Sequence, residues 1–138
     1  MEAPLLLDTC AAIWMAQDEK LSPAAMAAIE QVFERRESLY ISPITAWEIG
    51  LLAARGRFKS ILTPRQWLRR LLEAPQVGVA PLSPEILLES NLLPGSPPRD
   101  PADRIIAATA RELGYAVVTR DHLLLDYAAD GHLRAIAC

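Results

Sequence analysis

The sequence contains few of the residues on which several common kinds of site depend. It has two cysteines, Cys10 and Cys138, near opposite ends of its 138 residues, so neither a disulfide framework nor a paired-cysteine metal motif is available. Its two histidines, His122 and His132, form no cluster with them, and no glycine-rich phosphate loop is present. The chain is therefore a poor candidate for a crosslinked secreted module, a soft-ligand metal centre or a mononucleotide-binding fold.

Long hydrophobic runs are also missing. The first ten residues contain Glu2 but no Lys or Arg, and their apolar run ends at Leu7, which fits neither a signal peptide nor a membrane span. Hydrophobic residues make up 51% and charged residues 22% of the chain, values that are typical of globular proteins. We expect one cytoplasmic domain over residues 1–138, with no membrane partner.

Charge is unevenly distributed along the chain. The net charge of −3 by itself argues against a nucleic-acid partner. No acidic residue occurs between Glu48 and Glu73, however, and this stretch carries six basic residues, called the basic block below: Arg55, Arg57, Lys59, Arg65, Arg69 and Arg70. The basic block predicts a surface for nucleic-acid phosphates, although a solvated helix face and loop explains it equally well.

Five dipeptides predict helix starts, because a Ser, Thr or Asp oxygen caps orphan backbone N–H groups and Pro fits the first helical position. They are Ser22-Pro23, Ser42-Pro43, Thr63-Pro64, Ser83-Pro84 and Asp100-Pro101. Short apolar runs between them predict strands at Leu5–Leu7, Leu39–Ile41, Val77–Leu82, Ala116–Thr119 and Leu133–Ala137. Such alternation predicts an α/β fold, a three-layer α/β/α sandwich with a central parallel sheet.

Acidic residues recur where these elements meet one edge of the predicted sheet. Asp8 ends the first strand and Asp121 follows the strand at Ala116–Thr119, so both leave carboxyl ends of parallel strands, where ligands bind in such folds. Glu48 lies in the second turn and Asp103 in the first turn of helices that run antiparallel to the strands, so the amino ends of both helices lie at the same edge. We call Asp8, Glu48, Asp103 and Asp121 the four acids.

The helical positions of two of these acids favour a function over an ordinary surface role. At 100° per residue, Glu48 falls in the apolar arc of its helix beside Leu51 and Leu52, and Asp103 lies on the side of Ile106 and Ala107. Buried carboxylates are costly unless paired or bound to metal, and two of them about 4 Å apart repel by roughly 4 kcal/mol at an effective dielectric of 20.

A cation is therefore expected among the four acids. Oxygen ligands without Cys or His partners favour Mg²⁺ or Mn²⁺, and such an ion supports hydrolysis of phosphodiester bonds. Thr9 and Thr119 adjoin the acids and are expected to orient them, although Thr119 is also a good strand residue.

Three of the four acids, and the neighbouring Asp100, also have a simpler interpretation. Asp8 and Asp121 are placed to cap the helices that follow them, and Asp100 is interpreted mainly as a helix cap. Asp103 gains from the helix dipole in a first turn.

Four motifs, LLLDT, SPITAWEI, RDPADRIIAATA and VVTRD, resemble those of the PIN-domain ribonucleases, and more closely of the VapC-type toxins of bacterial toxin–antitoxin pairs. The resemblance covers nearly the whole chain. It implies that Asp8, Glu48 and Asp103 are the core metal-binding acids, with Asp121 as a fourth and Asp100 as a close support. It also implies a Mg²⁺- or Mn²⁺-dependent ribonuclease, a homodimer, RNA such as tRNA as substrate, and a small antitoxin that blocks the site.

Two alternatives were weighed against a nuclease. A phosphatase with an aspartate nucleophile would carry a second Asp two positions after Asp8, where Cys10 stands. The stronger alternative is a non-catalytic PIN-like module that binds metal, protein or RNA. Neither the RNA target nor the number of metal ions follows from the sequence.

Overall fold

The computed structural model describes residues 3–138; Met1 and Glu2, the first residues of the predicted domain, lie outside the described residues. This part of the chain forms five strands and seven helices. The strands are β1 (Leu5–Leu7), β2 (Leu39–Ile41), β3 (Val77–Val79), β4 (Ala116–Thr119) and β5 (Arg134–Ala137). The helices are α1 (Thr9–Ala16), α2 (Pro23–Glu34), α3 (Pro43–Ala54), α4 (Pro64–Glu73), α5 (Pro84–Glu89), α6 (Pro101–Leu113) and α7 (His122–Ala129).

The five predicted helix starts are confirmed, because α2 to α6 each begin at the proline of a predicted dipeptide. In each case the side chain of the preceding residue accepts a hydrogen bond from a backbone N–H of the first turn. Thr63 and Gln66 add a reciprocal capping box at α4. Local chemistry alone therefore fixes where these helices begin.

All strand pairs in the sheet are parallel, in the order β3-β2-β1-β4-β5, which confirms the predicted α/β class. Two strand bounds differ from the prediction. β3 ends at Val79, and the Ala80 N–H still bonds to the Ile41 carbonyl at 2.8 Å, but Pro81 has no N–H with which to continue the ladder. β5 begins at Arg134, one residue later than predicted.

Helices cover both faces of the sheet. Leu5 and Leu7 of β1 point to one face, where they pack with residues of α1, α2 and α4. Leu6 points to the other face and packs with Ile106 and Ala110 of α6. Burial on both faces explains why the strand is continuously apolar rather than alternating. Within residues 3–138, no helix combines the length and the apolar character that a membrane span requires.

The direction of chain progression reverses at the centre of the sheet. From β1 the chain moves outward to β2 and β3, whereas β4 and β5 lie on the opposite side of β1. Such a switch point leaves a crevice outside the carboxyl ends of the two central strands, here β1 and β4. Asp8 follows β1 directly and Asp121 lies two residues beyond β4, so both acids flank this crevice.

Candidate active site

A cavity of about 530 Å³ lies at the switch point, and we call it the acid pocket. All four acids line it, although they come from positions between 8 and 121 of the chain. The lining residues are Asp8, Thr9, Cys10, Trp14, Glu48, Asp100, Asp103, Arg120, Asp121 and His122. The structure therefore brings together the predicted acids with Thr9 and Asp100, while Thr119 lies behind them.

Asp8 is buried, with 3% of its surface exposed, and both of its oxygens accept hydrogen bonds. Oδ1 accepts from the Ala11 N–H at 2.8 Å, so Asp8 does cap α1, and Oδ2 accepts from the Thr119 hydroxyl at 2.5 Å. Burial raises the pKa of Asp8, and the Thr119 bond opposes that shift. Because Thr119 Oγ1 also accepts from the Asp121 N–H at 2.9 Å, one hydroxyl links two of the four acids.

Glu48 is half-buried on α3, where it faces inward as its helical position predicts. Its Oε1 accepts a hydrogen bond from the hydroxyl of Thr9, which lies 3.0 Å from the hydroxyl of the buried Thr45. Burial raises the pKa of Glu48, the Thr9 bond lowers it, and Asp100 and Asp8 add to the increase. Thr9 thus orients Glu48 in the way predicted for a supporting residue.

Asp103 and Asp121 have fewer partners. Burial raises the pKa of Asp103 to about 7, and Asp100 makes the next largest contribution. Asp121 occupies the cap position of α7 but makes no side-chain cap bond, so the capping interpretation of its carboxylate is wrong. Its Oδ2 is buried without a hydrogen-bond partner among the described residues. Asp100 does cap α6, because its carboxylate accepts from the Asp103 N–H at 3.0 Å.

The donor chemistry of the acid pocket fits a hard divalent ion. In residues 3–138, no three His, Cys, Asp or Glu side chains are grouped closely enough to hold one ion together, but Mg²⁺ keeps several waters and is often bound through only one or two carboxylates. The Asp121 oxygen that has no hydrogen-bond partner among the described residues is available as such a ligand. Burial, with further contributions from the four acids, raises the pKa of Cys10 to about 11, which keeps the thiol protonated and disfavours it as a ligand.

Arg120 and Trp14 also line the acid pocket, and the sequence analysis did not identify them. The Arg120 guanidinium lies 3.9 Å from the centre of the Trp14 ring. Arg120 reaches the pocket from the loop after β4, and not from either helix that carries Glu48 or Asp103. Its position in the sequence between Thr119 and Asp121, two predicted site residues, is the signal that points to a place at the pocket.

The basic block lies away from the acid pocket. All six of its residues are exposed and none lines that cavity. Arg55 is the cap at the carboxyl end of α3, whereas Glu48 lies near the amino end of the same helix. A role for the basic block in RNA binding stays a prediction.

Known proteins share the sequence and the fold of this chain. The chain is 37% identical over 121 residues to ribonuclease VapC22 of Mycobacterium tuberculosis (strain ATCC 25618 / H37Rv), a match that covers 87% of this chain and 88% of that protein. Its fold resembles a chain of the DNA-bound VapBC structure from Salmonella typhimurium, with a TM-score of 0.66, 20% identity and coverage of 99% and 98% of the two chains.

A second structure gives the same fold. A chain of VapBC2 from Rickettsia felis, bound to a DNA fragment from their promoter, matches with a TM-score of 0.65 and 12% identity over 96% of this chain and 97% of that one. The signature of the PIN domain matches residues 5–130, a range that begins with β1 and includes all four acids. On this match and the 37% identity, the chain belongs to the PIN-domain family.

Proposed function

We propose that this chain is a divalent-metal-dependent ribonuclease, the toxin of a toxin–antitoxin pair, and that the four acids form its active site. The observation that carries this proposal is the meeting of four acids from distant parts of the chain in one pocket at the switch point of the sheet. Membership of the PIN-domain family and the similarity to ribonuclease VapC22 support the ribonuclease assignment.

The proposed cofactor is Mg²⁺ or Mn²⁺, and dependence on a divalent metal is typical of PIN-domain ribonucleases of this type. When bound, such an ion generates a nucleophile from water at neutral pH and stabilises negative charge on a phosphoryl group. Oxygens of the four acids would bind it, directly or through the waters that such an ion retains. Thr119 and Thr9 fix the carboxylates of Asp8 and Glu48, which limits the side-chain freedom lost on binding.

Asp103 and Asp121 contribute in a different way. Burial and neighbouring acids make the ionised form of Asp103 unfavourable, so this side chain gains most from a nearby cation. Asp100 caps the helix that carries Asp103 and adds to the negative potential of the pocket. These four acids and their three supporting residues, Thr9, Asp100 and Thr119, are the active-site set that we propose.

We further propose that the chain acts in the cytoplasm as a homodimer, that its substrate is single-stranded or structured RNA such as tRNA, and that a small antitoxin blocks the acid pocket. The VapBC complexes among the structural neighbours support a partner protein. Cys10 and Cys138 are free thiols, which suits a reducing compartment.

The direct test is cleavage of a total RNA pool by purified protein in Mn²⁺, in Mg²⁺ and in EDTA. We expect cleavage with either ion, none in EDTA, and about a thousandfold slower cleavage by Glu48→Gln, because charge stabilisation by a bound ion is worth several kcal/mol. Glu89→Gln is the matched control, since Glu89 is an exposed glutamate outside the acid pocket.

Melting experiments distinguish a non-catalytic module that binds metal from a chain that binds no metal at the acid pocket. An ion that binds only the folded state stabilises it by about 2.7 kcal/mol at one hundred times its dissociation constant. Stabilisation by Mn²⁺ without RNA cleavage would identify a non-catalytic metal-binding module. Cleavage that survives both EDTA and Glu48→Gln would contradict the proposed active site.

A further inference from the structure

Arg120 is the only Lys or Arg among the described residues that line the acid pocket, yet it pairs with none of the acids. Its Nε donates to the main-chain oxygen of Cys138 at 2.9 Å, and its Nη2 donates to that of Lys20 at 2.8 Å. Within residues 3–138, none of its nitrogens forms an ion pair with an Asp or Glu carboxylate. The guanidinium is instead held by two main-chain oxygens and the Trp14 ring.

This arrangement is unusual for an arginine beside several carboxylates. A guanidinium forms strong two-point hydrogen bonds with carboxylates, and such a bond here would occupy the oxygens that a metal ion needs. Trp14 holds the cation by a cation–π contact, which keeps its positive charge at the pocket while the acids stay unpaired. Of its five N–H donors, two are used by the main-chain oxygens and the Cys138 side chain also hydrogen-bonds to the guanidinium, so further donors remain for a phosphate oxygen.

A nucleic-acid substrate faces an electrostatic problem at this pocket. A phosphodiester carries negative charge, and so do the four acids and the chain as a whole, with its net charge of −3. The basic block does not line the pocket, so it does not contact a phosphate bound there. A guanidinium fixed at the pocket can do so, and its planar fork matches the geometry of phosphate oxygens.

We propose that Arg120 binds a phosphate of the RNA substrate at the acid pocket and that Trp14 is the positioning residue that holds its guanidinium. This inference rests on the ribonuclease function proposed above. It assigns Arg120 to substrate binding, while metal binding stays with the four acids.

The test compares Arg120→Gln and Arg120→Lys with the wild-type residue. Gln keeps a hydrogen-bond donor for the main-chain oxygens but removes the charge, whereas Lys keeps the charge but loses the planar fork. Arg134→Gln is the control, because Arg134 is exposed at the amino end of β5, on the opposite edge of the sheet. All proteins carry Glu48→Gln for binding measurements, and cleavage kinetics use chains with Glu48 intact.

The probe for binding is a short fluorescein-labelled single-stranded RNA of mixed sequence, titrated in Mn²⁺ over a range of salt concentrations. For Arg120→Gln we expect about tenfold weaker binding and a slope of log affinity against log salt that is smaller by about 0.7, the value of one phosphate contact on a single strand. KM should rise by a similar factor, and kcat should change less than KM. Arg120→Lys should keep the wild-type slope with an affinity between those of Arg and Gln.

Trp14→Leu provides a second measurement that does not alter charge. It should weaken RNA binding about threefold without changing the salt slope, because the cation remains but is no longer fixed. If circular dichroism shows that Arg120→Gln does not fold, the RNA affinities of Trp14→Leu and Arg120→Lys test the proposal instead.

Two negative outcomes are distinguishable. If the wild-type chain cleaves RNA while Arg120→Gln keeps wild-type affinity, salt slope and KM, the role of Arg120 is refuted and the ribonuclease function stands. If the wild-type chain neither binds nor cleaves RNA in Mn²⁺, the proposed function fails and the role of Arg120 fails with it. With an unfolded Arg120→Gln, wild-type affinity in both Arg120→Lys and Trp14→Leu would also refute the proposal.

Discussion

The acid pocket has two halves that differ in how their carboxylates are supported. Asp8 and Glu48 each accept a hydrogen bond from a threonine hydroxyl, and we call them the held acids. Asp103 and Asp121, the open acids, accept no side-chain hydrogen bond from the described residues, and a buried oxygen of Asp121 has no hydrogen-bond partner within residues 3–138. The carboxylates of the held acids are oriented before any ion binds, whereas burial and the neighbouring acids raise the pKa of the open acid Asp103 to about 7.

The largest expected effect comes from an open acid. We expect Asp103→Asn to slow RNA cleavage about a thousandfold, since the lost contribution to ion binding and charge stabilisation is several kcal/mol. The same change should raise the melting temperature of the metal-free protein, because it removes a charge that burial and neighbouring acids disfavour. Cleavage rates and melting curves in EDTA measure the two effects.

A held acid should behave in the opposite way in the melting experiment. Asp8→Ala removes the cap of α1 and leaves the buried Thr119 hydroxyl without its acceptor, so we expect a loss of about 2 kcal/mol in the free energy of unfolding. The distinction between held and open acids is wrong if Asp103→Asn destabilises the metal-free protein as much as Asp8→Ala.

An intermediate effect is expected at the threonine that supports Asp8. Thr119→Val keeps the side-chain shape but removes the hydroxyl that contacts Asp8 and the Asp121 N–H. Partners of metal ligands typically contribute about 10- to 100-fold to metal affinity or activity, and we expect a loss of cleavage in that range. Mn²⁺ titrations and cleavage rates measure it.

Thr109→Val is the matched control for that experiment. Thr109 is equally buried, but its hydroxyl donates to the Ile105 carbonyl within α6 at 2.7 Å. Its variant should keep wild-type metal affinity. Equal losses in both variants would show that Thr119 acts through general stability rather than through the acid pocket.

The smallest expected effect is on the pH dependence of stability. The folded, metal-free protein keeps the Asp103 proton up to about pH 7, whereas the unfolded chain loses it at about pH 4. Between these values the folded state binds more protons, so the free energy of unfolding should fall as the pH rises. The melting temperature in EDTA should therefore drop by a few degrees from pH 5 to pH 8, less in Asp103→Asn. If the melting temperature of Asp103→Asn falls as much as that of the wild-type protein, Asp103 is not the main source of the decrease.

Local signals in the sequence explain most of the fold. The Ser, Thr or Asp before each helix-starting proline acts within one turn, so the starts of α2 to α6 could be read without knowledge of the tertiary structure. The strands could be located from their apolar runs, and the topology rule for parallel sheets then predicted that Asp8 and Asp121 lie at one edge. The apolar run Val77–Leu82 predicts too long a strand, because Pro81 has no backbone N–H with which β3 could continue its pairing.

Contacts between side chains from distant segments were beyond this reasoning. The Arg120–Trp14 contact joins α1 to the loop after β4, and it depends on carbonyl groups of Lys20 and Cys138. Sequence periodicity does not predict which side chains from distant segments come into contact. For the same reason, Thr9 was predicted to support an acid, but its bond to Glu48 rather than to Asp8 could not be foreseen.

The central position of β1 affects how the protein is made. β1 pairs with β4, and the bond between Asp8 and Thr119 joins residues that are 111 positions apart. A nascent chain that has not yet emerged from the ribosome as far as β4 lacks Asp121 and the hydroxyl that orients Asp8. Asp8 and Asp121 can therefore be linked through the Thr119 hydroxyl only after β4 has been synthesised and has paired with β1.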